Sequence, residues 1–190
     1  RKTNQIISFL FTVLSVSITL TYAYVYDQYS QNLTQTIKNT KLWVDSFDNS
    51  RHATSWVTQG SSPYLNAQDE PNNYVYTDRA VGGDQIGDFG FEDHAQTGTI
   101  NSIKLKMYGH AYQYTPNDDY FDVYLWDGNS WNKVMSFQGL PNYVWQEAVV
   151  TSYLNTWQKV NGAKIYLEKI GKLKRSGIAC DAALLVVDYA

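Results

Sequence analysis

Histidines, cysteines and clustered carboxylates are the residues able to do acid–base, nucleophilic or metal chemistry, and this chain arranges few of them. Its three histidines, His52, His94 and His110, stand far apart. None falls in a metal-ligand spacing such as His-Glu-x-x-His. Glu92-Asp93-His94 is a compact polar cluster and reads as a solvated turn. Cys180, the single cysteine, sits among apolar residues of an alternating run and reads as a small core side chain, not a nucleophile. There is no Gly-x-Ser-x-Gly elbow and no phosphate-binding loop. Asp118, Asp119 and Asp122 cluster before a strand, and Asp69 and Glu70 share another loop. Such oxygens can bind calcium, but the positions do not match an EF-hand loop. They read as polar loops, and no carboxylate pair is placed for glycoside hydrolysis. No catalytic residue, metal ligand or cofactor is therefore assigned, and the chain is not expected to be an enzyme.

Aromatic residues are the other chemical lead, with 16 Tyr and 6 Trp in 190 residues. Trp126, Trp131, Tyr143 and Trp145 lie close together along the chain. They suit a sugar-stacking platform, which makes a carbohydrate-binding module one reading. They also suit the core or contacts between subunits, and that reading is preferred. The net charge is −3, without a basic cluster, which argues against nucleic acid as a partner. A single cysteine excludes an intramolecular disulfide.

The N-terminal stretch determines how the chain is organised. Between Thr3 and Tyr26 there is no charge, while Arg1 and Lys2 precede it. As a helix this run spans about 36 Å, enough to cross a bilayer. Three readings compete: a cleaved secretory signal, a permanent membrane anchor, and a helix that packs in the core of a filament. The chain begins without Met and retains the whole apolar run, which favours the third. Ser8, Thr12, Ser15 and Thr19 share one helical face at spacings that let helices approach closely. Ile6, Ile7, Phe9, Leu10, Phe11, Val13, Leu14, Val16, Ile18 and Leu20 are the expected packing residues of a filament core. Tyr26, Tyr29, Leu33 and Ile37 continue a helical period, extending the expected helix to residue 41. The sequon Asn32-Leu33-Thr34 on that extension makes Asn32 a candidate glycosylation site.

A helix that is apolar first and amphipathic later resembles those of type IV pilins and archaellins. The first and fifth positions, Arg1 and Gln5, depart from the bacterial pattern of an aromatic first residue and a Glu at the fifth, so the likeness is to the archaeal branch. The resemblance implies an extracellular, cell-surface filament built from copies of the chain itself. It also implies insertion in the cytoplasmic membrane before assembly.

From Leu42 the period becomes alternating. Short strands are expected at 42–44, 54–58, 74–77 and 89–91, and a long one at 100–114, where Ile103, Leu105 and Met107 alternate with Lys104, Lys106 and Tyr108. Phe121, Val123 and Leu125 share a face and run into Asp127-Gly128, a tight-hairpin signal. Further strands are expected at 131–137, 144–153, 163–168 and 178–189. Gly109 is expected to mark a bulge or bend. Both faces of 178–189 are apolar, so that strand is either central and covered twice or half of it meets a neighbour. Ser62-Pro63-Tyr64-Leu65-Asn66-Ala67 with Asp69, Phe89-Gly90-Phe91, Ile100 to Gly109, the 125–131 hairpin and Val187-Asp188-Tyr189 together resemble a jelly-roll-type module of prokaryotic surface proteins. The expected fold class is thus mainly β with one long N-terminal α-helix and an antiparallel β-sandwich head of jelly-roll or Ig-like form. The expected division is 1–41 and 42–190. The expected function is a pilus-like structural subunit; the alternative is a membrane-anchored carbohydrate-binding or adhesion module.

Overall fold

The computed structural model describes residues 36–51, 56–59, 65, 74–77, 83–95, 97–111, 120–170 and 178–190. Lys38–Ala190 forms a compact unit by itself. Its strands are β1 (Lys38–Phe47), β2 (Trp56–Gln59), β3 (Tyr74–Thr77), β4 (Gln85–Phe91), β5 (Ile100–Ala111), β6 (Tyr120–Trp126), β7 (Trp131–Gln138), β8 (Val144–Val149), β9 (Lys164–Lys169) and β10 (Ile178–Tyr189). A 3-10 turn at Asn49–Arg51 and a short helix α1 (Trp157–Asn161) complete the elements.

All pairings are antiparallel and join into one continuous sheet. The sheet folds back on itself as two facing halves. In one half β10 is flanked by β5 along its whole length, and β8 lies outside β5. The other edge of β10 takes β1 through Lys38–Trp43 and β3 through Val75–Thr77. The second half runs β1, β4, β9, β6, β7. Strand β1 serves both, because its register shifts between Val44 and Ser46 and the rest of the strand turns to β4. A bulge of this kind lets a strand cross from one layer to the next. The opposite seam is closed by a side chain. Gln146 of β8 accepts from the backbone N–H of Gln138 in β7 at 3.1 Å and donates to its carbonyl at 2.6 Å.

The alternation in each strand explains the core. Ile103, Leu105 and Met107 of β5 face Phe121, Val123 and Leu125 of β6 and Ile165 and Leu167 of β9 within one fully buried cluster. Each such side chain contributes about 1.5–3 kcal/mol on burial. Gly109 lets the halves close: a Cβ there would stand 3.2 Å from the Phe137 ring and 2.4 Å from the Ala179 carbonyl oxygen. The expected irregularity at Gly109 lies across the ladder, where β10 shifts register between Cys180 and Ala182. β10 is the central strand, buried on both faces from Ala179 to Leu185.

The fold class expected from the sequence is overturned in its helical part. The described residues are nearly all β, and the longest α-helix among them is the five-residue α1. Residues 38–41, assigned to the end of an amphipathic helix, are the start of β1. The cause is tertiary: β10 offers an open pairing edge from Leu184 to Tyr189, and the Asn39 amide donates to the Asp188 carboxylate at 2.6 Å. The apolar run Ile6–Tyr26 and the rest of 1–35 lie outside the described residues. No helix among the described residues is long and apolar enough to cross a membrane.

Strand ends differ in smaller ways. β8 stops at Val149, since Thr151 turns the chain: its hydroxyl accepts from the Ile103 N–H at 2.8 Å. Helix α1 follows, capped by the Thr156 hydroxyl, which accepts from the Lys159 N–H at 3.3 Å.

Candidate functional site

Residues paired across an antiparallel ladder point to the same side, so the register of the β7–β6–β9–β4 half defines its outer face. One row reads Trp131, Trp126, Lys164, Gly90 and Ser46 from β7 through β6, β9 and β4 to β1. The next reads Lys133, Tyr124, Tyr166 and Gly87. The third reads Ser136, Asp122, Glu168 and Gln85. Between them lie Val123, Leu125, Ile165 and Leu167, all facing the core.

The rings on this face touch one another. Tyr124 and Tyr166 stack at 4.7 Å with planes 4° apart, and Trp131 meets Tyr166 edge-on at 4.8 Å. Trp126 lies 5.5 Å from Trp131 across the hairpin. That hairpin is held by Asp127, whose Oδ1 accepts from the N–H groups of Asn129 and Ser130, both at 2.8 Å. Gly128 supplies the positive φ the turn needs.

Arg51, at the end of the 3-10 turn, lies over these rings. Its guanidinium is 4.2 Å from the Tyr166 ring centroid and 4.7 Å from that of Trp131. It donates to Asp88 at 2.6 Å and to Gln85 at 3.2 Å. At the bottom row the Asp122 carboxylate, 4 % exposed, accepts from Lys133 and from the Ser136 hydroxyl, both at 2.6 Å. Glu168 accepts from the Gln85 amide at 2.8 Å. Burial, with the Glu168 charge behind it, pushes both tyrosine phenols up. They therefore stay protonated donors at neutral pH. The top row runs into a cleft of about 270 Å³ that shares Lys164, Gly90 and Ser46 with it and adds Asp45, Asp93 and Asn161.

Flat rings with fixed donors and acceptors around them can stack on the apolar face of a pyranose and bond its hydroxyls. No family model and no curated protein matches the chain. Among solved structures, a mutant of a family 29 carbohydrate-binding module is 11% identical, covering 80% of this chain and 92% of that one, with a TM-score of 0.41. A second mutant of such a module, complexed with mannohexaose, gives the same values. A CBM36-1 domain of a multidomain xylanase from the hindgut metagenome of Trinervitermes trinervoides is 16% identical, covering 80% of this chain and 98% of that one, with a TM-score of 0.36.

The four aromatics grouped by sequence are divided by the fold. Trp126 and Trp131 belong to the face just described, while Tyr143 and Trp145 stand on the opposite half beside Tyr108. None of the four is in the buried core cluster, which corrects the core half of the preferred reading and leaves contacts between subunits as an expectation. Tyr124 and Tyr166 were missed although each alternates with core residues, and Arg51 carries no local signal at all. Cys180 is fully buried, and burial pushes its thiol up, in keeping with a core side chain. His94 is tilted against Trp157 at 5.8 Å, and its backbone N–H donates to Asn161. Asp122 is committed to Lys133, and no cluster of three metal-ligating side chains occurs among the described residues. His52, Asp69, Glu70, Asp118 and Asp119 lie outside the described residues. So do Asn32 and the filament-packing residues from Ile6 to Leu20.

Proposed function

We propose that the β-domain is a non-catalytic carbohydrate-binding module that works at the cell surface or outside the cell. The single observation that supports this most is the outward aromatic face of Trp126, Trp131 and Tyr124, packed around the Tyr166 ring, which Arg51 and its neighbours leave only 7% exposed. Around the rings, the Arg51–Asp88 and Lys133–Asp122 pairs and the Gln85–Glu168 bond hold polar groups in fixed directions. Such pre-organisation favours hydroxyl recognition, because little side-chain entropy is lost on binding.

Charge narrows the ligand. Arg51, Lys133 and Lys164 are balanced on this face by Asp88, Asp122 and Glu168. A polyanion needs a surplus of cations, so a neutral glycan suits the face better. The top row crosses four strand-to-strand steps, about 19 Å at the usual spacing. That favours a chain of about four pyranose units lying across the strands, reaching the cleft at Asp45 and Asp93. The filament-subunit reading depended on a helix over residues 1–41; residues 1–35 lie outside the described residues, 38–41 begin β1, and nothing among the described residues favours that reading.

A glycan array followed by titration calorimetry tests the proposal. The expected result is micromolar binding to a neutral polysaccharide, weakened about thirtyfold by Trp131→Ala, the size of a central aromatic anchor. Unchanged affinity in that variant, or no glycan binding at all, refutes it.

A further inference from the structure

We infer that the outer face of the β5–β8 ladder is a second glycan-stacking site, so that one domain bridges two polysaccharide chains. Trp145 pairs directly with Tyr108, and their rings lie 5.1 Å apart. Tyr143 stacks on Tyr108 at 5.0 Å with planes 21° apart, and the His110 ring is 4.0 Å from Tyr143. The four rings form one unbroken strip. Tyr143 is 41% exposed and the other three rings are half-buried, so the strip opens to solvent at Tyr143.

This strip cannot be part of the first face. Met107 and Gly109, the neighbours of Tyr108 in β5, point inward, and Gly109 abuts Phe137 of the opposite half. Tyr108 and His110 therefore point away from that half. Packed sheets stand about 10 Å apart, and the side chains of both outer faces add to that distance. A single glycan chain does not reach both strips.

Several features point to a glycan as occupant and not a protein. A stable protein interface buries about 800 Å² per partner around desolvated anchors. Among the described residues of this face, the exposed large apolar side chains are Tyr143 and the more distant Val149. The flank of the strip is charged: Lys104 donates to Glu147 at 2.7 Å, Lys106 lies 3.9 Å from the same carboxylate, and its ammonium is 5.5 Å from the Trp145 ring. A narrow ring strip with a mixed-charge rim has the width of one sugar chain. Burial and the nearby Asp181 carboxylate push the Tyr143 phenol up to about 12, so its hydroxyl remains a donor across the physiological range.

The test uses the full chain on insoluble cellulose, mannan and xylan, washed and then offered fluorescent cellohexaose, mannohexaose and xylohexaose. Calorimetry with the same hexasaccharides counts sites per chain. The expected result is two sites, with capture of the soluble sugar by the immobilised protein. Trp131→Ala and Tyr143→Ala each leave one micromolar site and abolish capture, and the double variant keeps no micromolar site. One site, lost entirely in Trp131→Ala and untouched by Tyr143→Ala, overturns the second site while the first face stands. One site lost only in Tyr143→Ala overturns bridging and the assignment of the first face together. Absence of binding in the unaltered protein overturns both readings.

Discussion

Arg51→Ala is the substitution that most directly tests how the aromatic face is built. The guanidinium contacts two rings, at 4.2 and 4.7 Å, and is anchored by Asp88 at 2.6 Å. The two side chains of that ion pair are 27% and 14% exposed, so it is more shielded than a surface pair. Each cation–π contact at such a site contributes about 0.5–1 kcal/mol. Loss of a charged hydrogen bond, with a carboxylate left half-buried, adds about 1.5 kcal/mol. Discounting for the solvent that still reaches Asp88, the domain should lose about 2 kcal/mol of stability. Trp131 also loses the contact that fixes its ring, and glycan affinity should fall about tenfold. Arg51→Lys keeps the charge but not the planar fork, so it should recover less than half of either loss. Urea denaturation followed by tryptophan fluorescence measures the first effect and calorimetry the second. A double-mutant cycle with Asp88→Asn should give a coupling above about 0.5 kcal/mol. Stability and affinity both indistinguishable from the unaltered protein would show that the guanidinium merely lies on the surface, and the reasoning fails.

Four further outcomes are expected. Affinity for neutral oligosaccharides should rise with chain length and level off near the number of units that spans the top row, about four; equal affinity for a disaccharide would contradict the crossing orientation. The N–H groups of Ser130 and Asn129 hold the Asp127 carboxyl below its ordinary value. Its folded value being the lower one, its contribution is present above the ordinary value of 3.8 and is lost as pH falls through the folded value. Asp127→Ala should therefore lower the denaturation midpoint at pH 7 and converge with the unaltered protein in strong acid. Cys180 should resist iodoacetamide at pH 8 until denaturant is added, as mass spectrometry would show. Gly87 has φ +135°, and a Cβ there would stand 3.0 Å from the Tyr166 Cα and the Ile165 carbonyl oxygen, so Gly87→Ala should cost about 1–3 kcal/mol by urea titration.

What could be read from the sequence depended on how local the signal was. Strands β6 and β7 could be read because Asp127-Gly128 lies between two alternating runs, and the hairpin closes within a few residues. Apolar residues on both faces of β10 left either a central place or contact with a neighbour, and its pairing with β5 on one edge and β1 and β3 on the other makes it central. The helical period from Tyr26 to Ile37 misled at its C-terminal end. Nothing in Lys38-Asn39-Thr40-Lys41 forbids a helix, and only the edge of β10, some 145 residues away in sequence, makes it a strand. Helix α1 was too short to show a period.

The site was harder to see than the fold because alternation shows which residues face outward but not which outward faces coincide. Trp126 and Trp131 are joined by their own turn, whereas Tyr166 reaches them through the β6–β9 pairing and Arg51 through the turn that follows β1. Tyr143 and Trp145 look like neighbours of Trp131 in sequence, yet Gln138 to Val144 carries the chain from one half of the sheet to the other. The face therefore depends on the register of β9. A slip of one residue there would turn Tyr166 and Glu168 inward and Ile165 and Leu167 outward. The same pairings that bury Ile165 and Leu167 completely thus place the ring that Arg51 and Tyr124 stack on. Substitutions that loosen the β9 core residues should then weaken glycan binding without touching a single side chain of the face.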